Sequence, residues 1–80
     1  MMLTQEEEAN RLASDIVRFC RFARASGFNA GVAETMDALG SARAVRPMDR
    51  SVLKYALRAV LCSSREEWYQ FDDIFEEFWR

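Results

Sequence analysis

Paired carboxylates are the residues in this 80-residue sequence that could most readily do chemistry. They form three adjacent acidic pairs near the C-terminus: Glu66-Glu67, Asp72-Asp73 and Glu76-Glu77. Asp72 and Glu76 are four positions apart, so on a helix they share a face, as metal-binding carboxylates do. A di-metal helical bundle also needs inward-pointing Glu-x-x-His motifs, and the sequence contains no histidine.

Large apolar side chains are interleaved with these acids at helical spacing. At about 100° per residue they cover an arc of roughly 140°, and they comprise Trp68, Phe71, Ile74, Phe75, Phe78 and Trp79. The paired acids from Asp72 to Glu77 fall on the opposite side. We therefore interpret the acids as the solvated face of an amphipathic helix and expect no catalytic site. The sequence offers neither a Ser/His/Asp or Cys/His set nor a phosphate-binding glycine loop.

Cys20 and Cys62 are the only cysteines, and each lies in an apolar helical stretch. Free cysteine in such a setting behaves as a small apolar residue. Without histidine or a close cysteine pair, one chain cannot assemble a structural zinc site from soft ligands. We expect reduced core thiols and no cofactor or metal; a disulfide or redox role is the alternative.

The charge balance argues against nucleic acid as a ligand. Eleven basic and thirteen acidic residues leave a net charge of −2, whereas phosphate binding needs a net basic face. The longest apolar run, from Ala59 to Cys62, is far too short to span a bilayer. The acidic N-terminus differs from a secretory signal. We expect a cytoplasmic protein that does not bind membranes.

The elements that position these residues are four helices in a single domain, predicted at about 4–25, 31–44, 49–62 and 64–80. Capping boxes at Thr4 and Ser64 predict two of the helix starts. Gly27 predicts the end of the first helix, and Arg46-Pro47 closes the second helical segment. Asp49 or Met48 starts the third helix. The expected fold is all-α: a compact four-helix domain, either orthogonal or bundle-like.

Periodicity also predicts which residues form the core. The first helix buries Leu12, Ile16, Phe19, Cys20 and Ala23, and the second buries Val32, Met36 and Leu39. Gly40 and Ser41 weaken the second helix, so it is expected to end early or bend. The third helix is the expected central element, with Val52, Leu53, Ala56, Leu57, Val60 and Leu61 in the core and Lys54, Tyr55 and Arg58 facing water.

Four residues are candidates for contact with a partner protein. Phe22 lies outside the apolar stripe of its helix, and Arg18 lies on the polar face. Tyr69 is an outlier on the fourth helix, and Trp79 is at that helix's end. Packing at the edge of the core is the alternative for the aromatic residues.

Three segments carry a resemblance to a known family: Phe19–Gly31, Glu34–Ala42 and Tyr55–Trp79. In order and spacing they resemble the N-terminal region of CoxE-like, von Willebrand factor A domain-containing proteins. In that family the helical region precedes a metal-binding A domain, and members often act beside a MoxR-type AAA+ ATPase in maturation or metal insertion of an enzyme. None of the family's metal ligands corresponds to a residue of this sequence.

The resemblance implies a non-enzymatic helical domain that binds a protein partner. The expected partner is a von Willebrand A domain, a MoxR-type ATPase or a client enzyme. The alternative is a small stand-alone adaptor or regulator that self-associates as a homodimer, with the arginines of the first helix meeting the acids of a second copy's fourth helix. Catalysis by the acid pairs is the third hypothesis.

Overall fold

The computed structural model describes residues 4–44 and 49–80, which form four helices. They are α1 (Gln5–Ala25), α2 (Val32–Arg43), α3 (Arg50–Leu61) and α4 (Arg65–Phe78). No strand occurs within these two ranges. The all-α four-helix fold predicted from the sequence is therefore confirmed. The predicted break at Arg46-Pro47 and the possible helix start at Met48 lie outside the described residues.

Polar side chains begin three of the helices. The side chains of Thr4, Asp49 and Ser64 each accept a hydrogen bond from the backbone N–H three residues on, at 3.1–3.2 Å. Each bond satisfies one amide that has no partner inside its helix. At the start of α2 the carboxylate of Glu34 instead accepts from the N–H of Gly31 at 3.0 Å. Short polar residues at these positions thus set where the helices start.

Gly27 ends α1 by reversing the chain. Its φ of 101° lies in the left-handed region, which side-chain-bearing residues rarely adopt. The N–H of Phe28 then donates to the carbonyl of Ala23 at 3.0 Å. This turn folds the Phe28 ring back into the core, where its centroid lies 6.3 Å from that of Phe71.

The four helices form a closed ring of neighbours. Within the described residues α1 packs against α2 and α4, and α3 packs against the same two helices. The domain measures 40 × 23 × 20 Å. The prediction that α3 is the central helix is wrong, because α3 has two packing neighbours like each of the other helices.

Aromatic side chains from α1 and α4 fill much of the core. The Phe19 ring of α1 is fully buried and lies 4.8–5.8 Å from four rings, those of Phe71, Phe75 and Phe78 in α4 and that of Trp79 directly after it. Three of the four contacts are edge-to-face, the geometry that the charge distribution of aromatic rings favours. From the other side α3 contributes the buried Leu53, Leu57 and Leu61.

The predicted core face of α2 is wrong at two of its three positions, since only Leu39 packs against the core. Val32 and Met36 are 80% and 66% exposed, whereas Ala38 and Ala42 are buried. Small side chains let a helix approach its neighbours closely, and well-packed interiors leave no spare volume for larger ones. The helix therefore turns its alanines toward α1 and α3. It also continues through Gly40 without a break.

Three further burial predictions also fail. Arg58, predicted to face water, is buried, whereas Val52 and Trp68, predicted to be core residues, are exposed. Val52 lies in the first turn of α3, and nothing else in the structure explains its exposure. Trp68 lies against the guanidinium of Arg58 rather than in the apolar core.

Candidate functional site

A buried arginine organises the junction between α3 and α4. Arg58 is only 7% exposed. Its Cζ lies 4.9 Å from the ring centroid of Trp68, 5.6 Å from that of Phe71 and 5.7 Å from that of Tyr55. A guanidinium within about 6 Å of an aromatic ring is attracted by the negative charge of the ring face. The attraction to the three rings thus compensates for part of the hydration that the cation loses on burial.

Carboxylates of α4 complete the surroundings of this cation. Nη2 of Arg58 donates a hydrogen bond to Oδ1 of Asp72. Nζ of Lys54 lies 3.4 Å from the same oxygen and 2.8 Å from Oε1 of Glu76. The hydrogen bond to Glu76, with the nearby charge of Asp72, raises the pKa of Lys54. In the described part of the chain, Nε of Arg58 is buried without a hydrogen-bond partner.

These contacts change the interpretation of the acid pairs. Asp72 and Glu76 are half-exposed, yet both pair with cations of α3. The sequence suggests the arginines of a second copy's α1 as partners for these acids. Within the described residues the ion pairs join α3 to α4 instead. The acids therefore orient two neighbouring helices as well as facing solvent.

Three aromatic side chains of α3 and α4 are exposed, and two of them, Tyr55 and Trp68, lie against Arg58. The three are Tyr55 at 63%, Trp68 at 45% and Tyr69 at 72%, and we call them the aromatic surface. Tyrosine and tryptophan are enriched in protein interfaces, because each combines a large rigid apolar area with one polar group. The stacked Arg58 fixes the position of two of the three rings.

The four predicted contact residues lie in two places. Arg18 and Phe22 are one helical turn apart on α1, and the Phe22 ring lies 5.8 Å from that of Phe78. Trp79 belongs to the same aromatic cluster, and its carbonyl accepts a hydrogen bond from Arg50 at 3.0 Å. Tyr69 is ten residues before Trp79 on α4, about 15 Å along the axis.

Exposure also divides these four residues. Arg18 and Tyr69 are exposed, whereas Phe22 and Trp79 are half-buried against the core. The contact between Trp68 and Arg58 is not predicted from the sequence. One feature of the sequence could have predicted the contact between Arg58 and an aromatic ring: Arg58 lies in the apolar stretch of α3, three residues after Tyr55. Residues three apart lie on the same face of a helix, so this spacing brings the cation close to the ring.

The two cysteines are free thiols. Burial raises the pKa of Cys20, and burial together with the nearby Glu67 carboxylate raises that of Cys62 to about 11. A thiol with a raised pKa is protonated at neutral pH and is therefore a poor nucleophile or metal ligand. Across residues 4–44 and 49–80 no three Cys, Asp or Glu side chains are grouped so that they could hold a metal ion.

No helix in the described ranges has both the length and the apolar character that crossing a bilayer requires.

Comparison with known families identifies most of the chain. The family model described as the CoxE N-terminal helical bundle domain matches residues 16–80. The match includes the second part of α1 and all of α2, α3 and α4, and hence the whole aromatic surface. No curated protein and no solved structure shows significant similarity to the chain. The resemblance predicted from the sequence is confirmed.

Proposed function

The chain belongs to the CoxE N-terminal helical bundle domain family, and from this premise we propose that it is a non-catalytic domain that binds a protein partner. The observation that carries the proposal is the aromatic surface of Tyr55, Trp68 and Tyr69. Exposed aromatic groups of this size, two of them held in place by a buried arginine, are characteristic of binding sites rather than of ordinary surface.

The charges around the aromatic surface define the kind of partner. Glu66 and Asp73 lie within about one turn of Tyr69 on α4, are exposed and make no ion pair within the described residues, whereas Asp72 and Glu76 already pair with cations of α3. The complementary partner is a protein surface with arginine or lysine side chains around an apolar pocket. We propose a MoxR-type AAA+ ATPase, which would place the domain in the cytoplasm and in the maturation or metal insertion of an enzyme. An A domain and the client enzyme are the other candidates.

Tyr69 is the central contact in this proposal. Arg18, Phe22 and Trp79 form a second contact point at the α1–α4 edge, where Arg18 is exposed and the two rings are half-buried. Because the two points are about 15 Å apart along α4, one partner domain can cover both.

The experiment measures binding of this chain to a purified MoxR-type ATPase encoded beside a CoxE-family gene. We expect Tyr55→Ala and Tyr69→Ala each to weaken binding about tenfold, measured by isothermal titration calorimetry. Gln70→Ala is the matched control, because Gln70 is exposed beside Tyr69 on the same helix. Tyrosine variants that bind as well as this control would show that the aromatic surface is not the site.

Self-association is a second candidate function. The exposed arginines of α1, namely Arg11, Arg18, Arg21 and Arg24, make no ion pair within the described residues. Glu66, Asp73 and Glu77 of α4 form a complementary acidic surface in the same molecule. A homodimer built on these charges should dissociate as salt is raised, because salt screens exposed charges. Light scattering at low and high ionic strength tests this candidate.

A further inference from the structure

A groove of about 220 Å³ lies where α1 meets α2. We call it the basic groove, and the residues that define it are Val17, Arg21, Arg24, Val32, Thr35 and Met36. Val32 and Met36 are the two most exposed apolar side chains of α2. Small-molecule sites usually enclose about 300–1,000 Å³, so the volume fits side chains of a protein segment better than an independent ligand.

The side chains that line the groove carry positive charge only, and the nearby carboxylate of Glu34 accepts a hydrogen bond from the N–H of Gly31, which also lines the groove, at 3.0 Å. Arg21 and Arg24 line it, and none of its lining residues is acidic. Neither arginine has a carboxylate oxygen within 4.0 Å in the described part of the chain. Lys54 and Arg58, in contrast, both pair with carboxylates of α4. Arg21 and Arg24 therefore differ from these two cations in having no carboxylate partner within the described residues.

Neither feature is unusual alone, since exposed arginines and single exposed apolar residues are common. Together they make a surface with an apolar centre and a basic edge, which is the usual composition of an interface. Val32 and Met36 are one helical turn apart, as are Arg21 and Arg24. An incoming helix that repeats apolar and acidic residues every three to four positions would therefore meet both rows.

We propose that the basic groove binds an acidic amphipathic helical segment of a partner protein. Carboxylates of the segment pair with Arg21 and Arg24, and its apolar side chains cover Val32 and Met36. Arginine suits this role because its planar guanidinium can hold a carboxylate through two parallel hydrogen bonds. Methionine suits it because its flexible side chain adapts to the apolar group that it meets.

This inference goes beyond the aromatic surface of the proposed function. The basic groove lies between α1 and α2, whereas the aromatic surface lies on α3 and α4 and has acidic neighbours. The two surfaces favour partners of opposite charge. Variants of the groove leave the aromatic surface unchanged, so either proposal can fail without the other.

The experiment uses two fluorescein-labelled synthetic helical peptides as probes, one with leucine and glutamate at i, i+4 spacing and one with lysine in place of glutamate. Binding to the whole chain is measured by fluorescence anisotropy up to about 1 mM protein. We expect the acidic peptide to bind about tenfold more tightly than the basic one. We expect Arg21→Glu/Arg24→Glu to weaken that binding by a further factor of about ten.

The matched control is Arg11→Glu/Arg65→Glu, which changes the net charge equally at two exposed arginines outside the groove. This control should weaken binding of the acidic peptide by less than about threefold. Val32→Ser/Met36→Ser tests the apolar centre and should weaken binding about fivefold. All of these side chains are exposed, so we expect the variants to fold, and thermal melts check that they do.

If Arg21→Glu/Arg24→Glu and the control lower the affinity for the acidic peptide equally, the proposal is wrong, because the affinity then depends only on the net charge of the protein. Failure of the acidic peptide to bind, or equal binding of the basic peptide, would also overturn it. If light scattering shows a dimer that Arg21→Glu/Arg24→Glu dissociates, the occupant is a second copy of this chain, and the proposed heterologous partner is wrong.

Discussion

Arg58 shows how one residue can hold two helices together from a nearly buried position. Taking a guanidinium out of water is costly unless its charge and its donors find partners. Here three aromatic rings and the carboxylate of Asp72 surround it. Asp72 remains half-exposed and is shared with Lys54, so its own charge stays hydrated. Most of the stabilisation by Arg58 therefore comes from packing of its side chain against the rings.

We expect Arg58→Ala to lower the free energy of unfolding by about 2–4 kcal/mol, because it removes a buried side chain from between the rings. Arg58→Met keeps most of the apolar volume and should cost about half as much. Asp72→Asn should cost less than about 1 kcal/mol, since that carboxylate is half-exposed. Urea denaturation gives all three values, and an Arg58→Ala cost within about 0.5 kcal/mol of zero would contradict this account.

Glu67 makes the start of α4 sensitive to pH. Its carboxylate accepts hydrogen bonds from the N–H of Ser63 at 2.7 Å and from the hydroxyl of Ser63 at 2.8 Å. These bonds lower the pKa of Glu67 below its ordinary value of 4.5. A carboxyl whose pKa is lower in the folded state than in the unfolded state stabilises the fold above the unfolded pKa. That stabilisation is lost as the pH falls through the folded pKa.

We therefore expect Glu67→Gln to destabilise the domain at about pH 7 and to make progressively less difference as the pH falls through the lowered pKa of the folded state. Thermal melts of wild type and variant across this range measure the difference. Other carboxylates titrate in the same range, so the comparison between the two proteins is the informative quantity. A difference in melting temperature that is the same at every pH would contradict the assignment.

At the scale of the element, α2 packs through small residues and presents larger ones to solvent. Ala38 and Ala42 are buried, and Val32 and Met36 are not. The spacing of large apolar residues indicates the core face of α1 and α4 but misidentifies that of α2. A helix that must approach two neighbours closely uses small side chains at the contacts, and the apolar periodicity of its sequence then marks an outer surface.

We expect Ala38→Leu to destabilise the domain by about 1–3 kcal/mol, because the added atoms have no free volume to occupy. Ala33→Leu is the matched control, since the same change at this exposed position on α2 should alter stability by less than about 0.5 kcal/mol. Chemical denaturation of both variants checks the orientation of the helix. If Ala38→Leu and Ala33→Leu lowered the free energy of unfolding by similar amounts, the orientation of α2 described above would be wrong.

At the scale of the whole molecule, we expect the ring of four helices to unfold as one cooperative unit. Each helix packs against two others, and Phe19 alone joins α1 to three rings of α4 and to Trp79 directly after it. No pair of helices has a separate core of its own. Loss of any one helix therefore exposes apolar surface on two neighbours, which favours all-or-none unfolding.

We expect a single thermal transition with an unfolding enthalpy of roughly 50–60 kcal/mol, the value typical of a chain of this size. Both tryptophans are natural reporters, because Trp79 packs against Phe19 of α1 and Trp68 against Arg58 of α3. Tryptophan fluorescence and far-ultraviolet circular dichroism should give coincident transitions. A fluorescence change at lower temperature than the loss of helix would show that α4 separates first.

Features that depend on neighbouring residues along the chain could be predicted from the sequence. The hydrogen bonds by which Thr4 and Ser64 start their helices involve only a backbone N–H three positions further along the chain. The left-handed turn at Gly27 and the aromatic stripe of α4 are equally local. The family resemblance also follows from the ordered series of such features, and so does the all-α fold.

Only the tertiary structure decided which polar and apolar side chains meet between helices. The burial of Arg58 depends on rings of α4 that lie ten or more positions away in the chain, and no periodicity within α3 contains that information. The exposure of Val32 and Met36 likewise depends on how closely α2 approaches its neighbours. Both candidate binding surfaces arise from such contacts, because burial is a property of the space between elements rather than of any one of them.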